Sequence, residues 1–357
     1  MSNREPRRRT DRSLEEQSRG LPLSAGSSLP GEFELIARYF APLSKGSAGA
    51  YGLKDDAAVV TPTPGQQIVA KTDAIVGGVH FRPDDPADLV ARKALRVNLS
   101  DLAAKGAVPR CYMLDLILPG TTTEEWVAAF ARGLAQDQKT FRVHLIGGDT
   151  NATPGPLTIA VTALGEVPNG QILRRGGARA GDVIFVTGTI GDATLGLAAL
   201  RGALPGLAAA EAGHLIGRYR LPVPRVGLGP RLIGLASATI DISDGLVADL
   251  GHICEVSRLG AVVEALRVPL SAPARSAIGG DRIRLEAALT GGDDYEILFT
   301  APSEATGRVE QLSREIGLAI TAIGEMCAEP TDGRDRVFLL DETGSPMELT
   351  RRGWVHF

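Results

Sequence analysis

Apolar runs of strand length alternate with segments of helical period along most of this chain. QQIVAKTDAIV (66–76), CYMLDLILP (111–119), HLIGGDT, LTIAVTALGEV, DVIFVTG, SATIDISDG and YEILFTA read as strands. Between them PADLVARKALRVNLSDLAAKGA (86–107), WVAAFARGLAQDQ, TLGLAALRGAL and LVADLGHICEVSRLG carry apolar residues at helical spacing. Such alternation predicts an α/β class with mixed α+β character. At 357 residues the chain exceeds one ordinary domain, and about two are expected. PNGQILRRGGARAGD interrupts the apolar pattern with Gly and Arg, which places the expected boundary at 167/168.

The ends are read separately. Residues 1–30 hold six Arg and four acids among Ser, Gly and Pro, and read as a disordered tail, since the acids argue against a transit peptide. From Gly31, GEFELIARYF predicts a helix that breaks at Pro42, and Thr122 with Glu125 matches a capping box before WVAAFARG.

Aspartates recur in short polar turns directly after, or beside, apolar strands: Asp55-Asp56 in GLKDDAAVV, Asp73 in KTDAIV, Asp149 in LIGGDT, Asp241 and Asp244 in IDISDG, and Asp293-Asp294 in GGDDYEI. In open α/β sheets ligands bind beyond the carboxyl ends of strands, so these acids can converge on one crevice. Asp101 joins from a helix, sharing a face with Asn98 and Lys105 beside a stripe of Leu95, Leu99 and Leu102. A single Gly-Asp turn is more often only structural. The double acids and the Asp-x-Ser-Asp-Gly run exceed what turns require. Two carboxylates about 4 Å apart repel by roughly 4 kcal/mol at an effective dielectric of 20, so a converged set needs cations. Carboxylates without Cys or His partners select hard ions, and Mg²⁺ bridging to phosphates is the usual arrangement. GTIGDATLG (188–196) offers free N–H groups at a helix start for phosphate, or simply a strand-to-helix turn. Arg174 and Arg175 beside Gly176-Gly177 either reach a phosphate or are solvated linker charge.

Other chemistries find no support. The Walker A, dinucleotide-binding, zincin, nucleophile-elbow and protein-kinase signatures are missing, and the five His residues show no ligand spacing. Net charge is −4, or −6 without residues 1–30, and only 4% of residues are aromatic, which excludes the basic or stacking surface a nucleic-acid partner needs. Three separated cysteines, the lack of a membrane-spanning stretch and the lack of a leader predict a cytoplasmic protein without a membrane partner.

In order and spacing, GEFELIARYF, DDAAVV, TDAIVGGVHF, ARKALRVNLSDLAAKGA, IGGDT, VTGTIGDATLGL, IDISDGLVADLGHI and GGDDYEILFT resemble the thiamine-monophosphate kinase family, within the aminoimidazole-ribonucleotide synthetase-like superfamily. The resemblance spans Gly31 to Phe357. It implies a two-domain fold, with an N-terminal domain (31–167) that binds ATP and Mg²⁺ and forms a homodimer through its sheet, and a C-terminal α/β domain (168–357). It further implies direct in-line transfer of the ATP γ-phosphoryl to thiamine monophosphate with several Mg²⁺ ions, the last step of thiamine diphosphate synthesis. Matched by motif, Asp56, Thr72, Asp73, Asp101, Asp149, Asp241 and Asp244 are expected as metal ligands. Gly148, Asp149, Arg175 and Ser243 are expected at ATP, and His80, Asp293 and Trp354 at thiamine monophosphate. Asp149, Asp244 and Arg175 are the expected catalytic set. Two departures stand out: Lys54 where the family commonly has Gly, and Lys71 where it often has Ser or Thr. A protonated Lys71 cannot be a ligand, so one fewer Mg²⁺, or an ammonium in its place, is expected. The alternatives are another synthetase of the superfamily and a nucleotide-binding regulator without catalysis. The selenophosphate synthetases carry a reactive Cys or selenocysteine near the N-terminus, whereas no Cys precedes Cys111 here.

Overall fold

The computed structural model describes residues 29–330 and 335–354. The tail expected over residues 1–30 lies outside this range, apart from its last two residues. Helix α1 (Glu32–Leu35) runs on through a wider π-type turn, Ile36–Phe40, into a 3₁₀ turn, Ala41–Ser44. The wider helix ends at Phe40, just before Pro42, and the chain tightens there into the 3₁₀ turn, close to the expected break. Pro42 falls in the first turn of the 3₁₀ segment, where its missing N–H costs nothing.

The first sheet has the order β1-β4-β2-β3, from β1 (Gln66–Val76), β2 (Val108–Pro119), β3 (His144–Thr153) and β4 (Thr158–Pro168). β4 pairs antiparallel with β1 and β2, while β2 and β3 are parallel. Helix α2 (Ala87–Ala104) and α3 (Glu124–Phe141) cover one face, closing a core that includes Leu95, Leu99, Tyr112, Leu114, Phe130 and Val161. The cap of α3 is one residue later than the spacing suggests: Thr123, not Thr122, accepts the Trp126 N–H at 3.2 Å. Glu125 therefore sits one position too early to close a capping box.

The second sheet has the order β10-β7-β9-β5-β8-β6. It comprises β5 (Val183–Thr187), β6 (Ala238–Asp241), β7 (Leu259–Glu264), β8 (Ile297–Ala301), β9 (Ile320–Ala328) and β10 (Val337–Leu340). Around it lie α4 (Asp192–Leu200), α5 (Ala209–Arg220), α6 (Leu246–Ser257), α7 (Ala272–Ile278), α8 (Arg282–Thr290) and α9 (Thr306–Ile316). Both faces are buried. Ile184 and Val186 of β5 enter the cluster with α6, whereas the intervening Phe185 stacks on Phe299 at 5.1 Å in the cluster beside α9. Among the described residues, β7 with β10 is the one parallel pair in this sheet. The expected mixed α/β, two-sheet architecture is therefore what the chain forms, with antiparallel pairing dominant.

Helix α2 determines where the site lies. It packs on β1 and β4 of the first sheet and also touches β6, β8 and α5 of the second half. It is buried almost all round, including Lys93, Arg96, Asn98 and Ser100. Polar residues on its far side are thereby drawn between the two sheets rather than into solvent.

Candidate active site

Three of the expected acids converge. Asp73 points from β1 to the α2 side, in phase with buried Val69 and Ile75. Asp101 comes from the last turn of α2, and Asp241 ends β6. Lys71 Nζ lies 3.0 Å from Asp73 Oδ1 and 3.1 Å from Asp101 Oδ2, bridging two acids of the group. Burial and then the charge of Asp241 push the Asp101 carboxyl up to about 7, against the pull of Lys71. Burial likewise raises Asp241. Burial opposes the charge on Lys71, but Asp101 and Asp73 more than offset it and hold the ammonium above its ordinary value. Two lysines are thus not enough to neutralise the group: Lys105 Nζ donates to Thr239 O at 3.1 Å, and burial lowers it to about 8, with Arg175 adding to the effect and Asp241 opposing it.

The fit to a divalent cation rests on Asp241. Its Oδ2 is fully buried and has no well-formed hydrogen bond, with the nearby Ser100 hydroxyl partly offsetting the burial of this carboxyl. An orphaned carboxylate oxygen costs desolvation energy that only a proton or a cation recovers. Together with the all-oxygen donors Asp73 and Asp101, it suits a hard ion such as Mg²⁺.

The remaining expected ligands are not gathered there. Thr72, one residue out of phase, turns its hydroxyl to the opposite face, where it accepts from Thr162 Oγ1 at 3.0 Å. Asp149 lies within β3 opposite Asp115, in the row of Ala160 and Ala74, and so also out of phase with Asp73. Asp149 Oδ1 accepts the Thr150 N–H at 2.8 Å. Gly148 beside it has φ 143°, and a Cβ there would stand 1.9 Å from Leu114 O, so only glycine fits. Asp56 sits in an exposed turn with its N–H on Asp55 Oδ1. Asp73 and Asp149 are therefore strand residues, not members of turns at strand ends. The crevice rule presumes a parallel sheet, and these sheets are mostly antiparallel.

The IDISDG turn is held by a residue the sequence did not single out. Asp249 Oδ2, in the first turn of α6, accepts the N–H groups of Ser243 and Asp244 at 3.0 Å each and Gly245 at 3.2 Å. Among the described residues Asp244, Asp249 and His252 bring ligand atoms within 4.8 Å of one another, but Asp249 is committed to the turn. Arg175 is exposed on a segment tied to β6 by the Thr239 N–H to Arg174 O bond of 2.8 Å. Its charge reaches Lys105, which puts an exposed guanidinium near the acid group. The phosphate reading of GTIGDATLG fails for a definite reason. Buried Asp294 accepts the Gly191 N–H at 2.8 Å and the Ala193 N–H at 3.4 Å, so the start of α4 already holds its anion.

The three residues expected at thiamine monophosphate are linked. His80 Nδ1 accepts the Val76 N–H, and His80 O accepts Lys93 Nζ at 3.0 Å. Lys93 Nζ also lies 3.0 Å from Asp293 Oδ2. The Asp293 N–H donates to Ser243 O, and the Trp354 N–H donates to Asp244 O, both at 2.9 Å. A surface cavity of about 550 Å³ beside Ala41, Ser44 and Gly46 is lined by no carboxylate and by none of the expected site residues.

Comparisons with known proteins agree with this architecture. The N-terminal domain of AIR synthase related protein matches residues 54–167, and its C-terminal domain matches residues 179–335. The thiamine-monophosphate kinase of Salmonella typhimurium is 42% identical over 92% of this chain and 98% of that protein. A crystal structure of thiamine-monophosphate kinase from Stenotrophomonas maltophilia superposes with a TM-score of 0.75 at 38% identity, covering 88% of this chain and 96% of that one. AaThiL complexed with AMPPCP and TMP superposes with a TM-score of 0.71 at 30% identity, covering 92% and 97%. With both family domains matched in sequence order and such identity across nine-tenths of its length, the chain belongs to the thiamine-monophosphate kinase family of AIR synthase related proteins.

Proposed function

We propose that this protein transfers the γ-phosphoryl group of ATP to thiamine monophosphate, giving thiamine diphosphate and ADP. The observation that carries the reading is the acid group of Asp73, Asp101 and Asp241, drawn from both halves and left with an orphaned oxygen, together with the tied set of His80, Asp293 and Trp354. The charges of Asp293, Asp241 and Asp73 all reach the partly buried Tyr295. Family membership supplies the substrates; a relative of this fold has been solved with AMPPCP and TMP.

Phosphoryl transfer between two anions is largely positioning and charge neutralisation. In this reading Asp73, Asp101 and Asp241 would hold Mg²⁺ at the seam, while Asp56 and Asp244, and Thr72 and Asp149 on the opposite face of the first sheet, would serve the further Mg²⁺ ions that accompany the nucleotide. Magnesium so held would neutralise the phosphates and stabilise charge on the transferred group. Arg175 and Ser243, on the segments flanking β6, meet ATP together with Gly148. Asp149, Asp244 and Arg175 are the catalytic set. His80, Asp293 and the exposed ring of Trp354 orient the acceptor. The accepting phosphate oxygen is already ionised, so no general base is required.

The same proposal takes residues 31–167 as the nucleotide and dimerisation domain and 168–357 as the second domain. A homodimer through the first sheet is supported by the uncovered face that carries Ala70 and Ala74, with partly covered Met113, Ile117 and Leu164 beside them. A cytoplasmic location is supported by three free cysteines. Among the described residues, no helix is long and apolar enough to cross a membrane.

Incubation with ATP, Mg²⁺ and thiamine monophosphate, followed by chromatography, tests the reading. Thiamine diphosphate should accumulate with ADP in equal amounts. ATP binding without that product would instead identify a nucleotide-dependent regulator.

A further inference from the structure

We propose that Lys93 is a positioning residue that assembles the acceptor site from both halves of the chain. The inference rests on the function proposed above. Lys93 is the buried lysine among the described residues, with 2% of its side chain exposed. Its ammonium touches three segments far apart in sequence. It donates to His80 O at 3.0 Å, pairs with Asp293 at 3.0 Å, and lies 4.0 Å from the centroid of the Tyr219 ring.

The residues on either side show what this junction controls. Asp293 has a left-handed φ of 75°, uncommon for a side-chain-bearing residue, and persists there only when its surroundings fix it. The Lys93 pair holds its carboxylate, and the Ser243 carbonyl holds its N–H. On the other side, the His80 carbonyl is fixed while His80 Nδ1 locks onto the Val76 N–H. An ammonium removed from water needs an anion and lone pairs, and both come from residues assigned to the acceptor. One dehydrated charge on α2 therefore ties His80, in the turn after β1, to Asp293, in the loop before β8, across the two halves. The cost of a buried ammonium is offset by a site that forms only when the two halves are docked.

Steady-state kinetics on the intact enzyme test this, varying thiamine monophosphate at saturating ATP and then the reverse. Lys93→Met, which keeps the stem and removes the charge, should raise KM for thiamine monophosphate by about tenfold or more, with KM for ATP within about twofold. Lys93→Met added to Asp293→Asn should worsen that KM by less than about twofold beyond Asp293→Asn alone, because Lys93 acts through Asp293. Equal shifts in both KM values, an unchanged KM for thiamine monophosphate, or fully multiplicative effects in the double variant would overturn the inference. Should Lys93→Met fail to fold, Lys93→Arg keeps the charge but displaces its contacts. It should show the same selective rise, and a non-selective change would count against the proposal. A wild type that makes no thiamine diphosphate would overturn the proposed function, and this inference with it. An active wild type with unselective Lys93 variants overturns this inference alone.

Discussion

Lys71 occupies a place where charge balance calls for a cation. Its ammonium sits about equally far from Asp73 and Asp101, in a group where burial raises the carboxyls of Asp101 and Asp241, and the charges of Asp241 and Asp73 raise Asp101 further. A fixed monovalent charge does part of what an ion would do, and it cannot be exchanged or lost by chelation. Replacing it with a neutral oxygen donor should open a position for metal. We expect Lys71→Ser to bind one more Mn²⁺ than wild type when saturated with a non-hydrolysable ATP analogue, as counted by electron paramagnetic resonance. Equal counts would show that Lys71 is not a substitute for an ion. Lys105 has a different part: burial makes its charge costly, so it stays near the acid group as an easily displaced counter-charge.

At the scale of elements, two aspartates each hold a helix start or a turn, and neither is free for ligand. Asp294 closes the N-terminus of α4, and Asp249 gathers three N–H groups of the turn before α6. Asp294→Ala should leave donors at a buried helix start unpaired and cost about 2 kcal/mol, read as a lower thermal midpoint. KM for ATP should stay within about threefold. A large loss of ATP affinity with unchanged stability would restore GTIGDATLG as a phosphate cradle. The sequence alone does not distinguish Asp293 from Asp294: both belong to one acidic pair, and only the turn decides that one faces the interface and the other the helix. Helix α2 was more legible. The spacing of Asn98, Asp101 and Lys105 beside Leu95, Leu99 and Leu102 sets their faces correctly, and the apolar run QQIVAKTDAIV coincides with β1 to its last residue. Lys93 was not legible, because a lysine among alanines looks solvent-facing until a second half covers the helix. Nor was the split between Asp73 and Thr72, since the facing of a strand depends on which side its covering helix packs.

Across the whole molecule, α2 is the member that the two halves share. Arg96 Nη1 donates to Pro222 O at 2.8 Å, Lys93 reaches Asp293, and Lys105 reaches Thr239 O. The acid group is thus built into the seam, so its charge is a property of the docked state and contributes to stability with a definite sign. Asp101 titrates near 7 in the folded chain and near 4 when unfolded, so the folded form binds more protons between those values. Its stabilising contribution is complete below about pH 4 and is lost as pH rises through 7. Burial raises Asp241, Asp249 and Asp294 in the same direction, whereas the carboxyls held low, Asp84, Glu124, Glu286 and Asp341, are at the surface and act below that window. Metal-free protein should therefore lose at least about 1 kcal/mol of stability between pH 5 and 8, measured by denaturant unfolding in a chelating buffer. Magnesium with a non-hydrolysable ATP analogue at about 100 times its Kd should add about 2.7 kcal/mol at pH 7.5. It should also flatten the pH slope, because a cation takes the place of the protons on Asp101 and Asp241. An identical slope with and without magnesium would mean that the seam carboxylates are not where the ion binds, and would send the search for it to the opposite face of the first sheet, with Thr72 and Asp149.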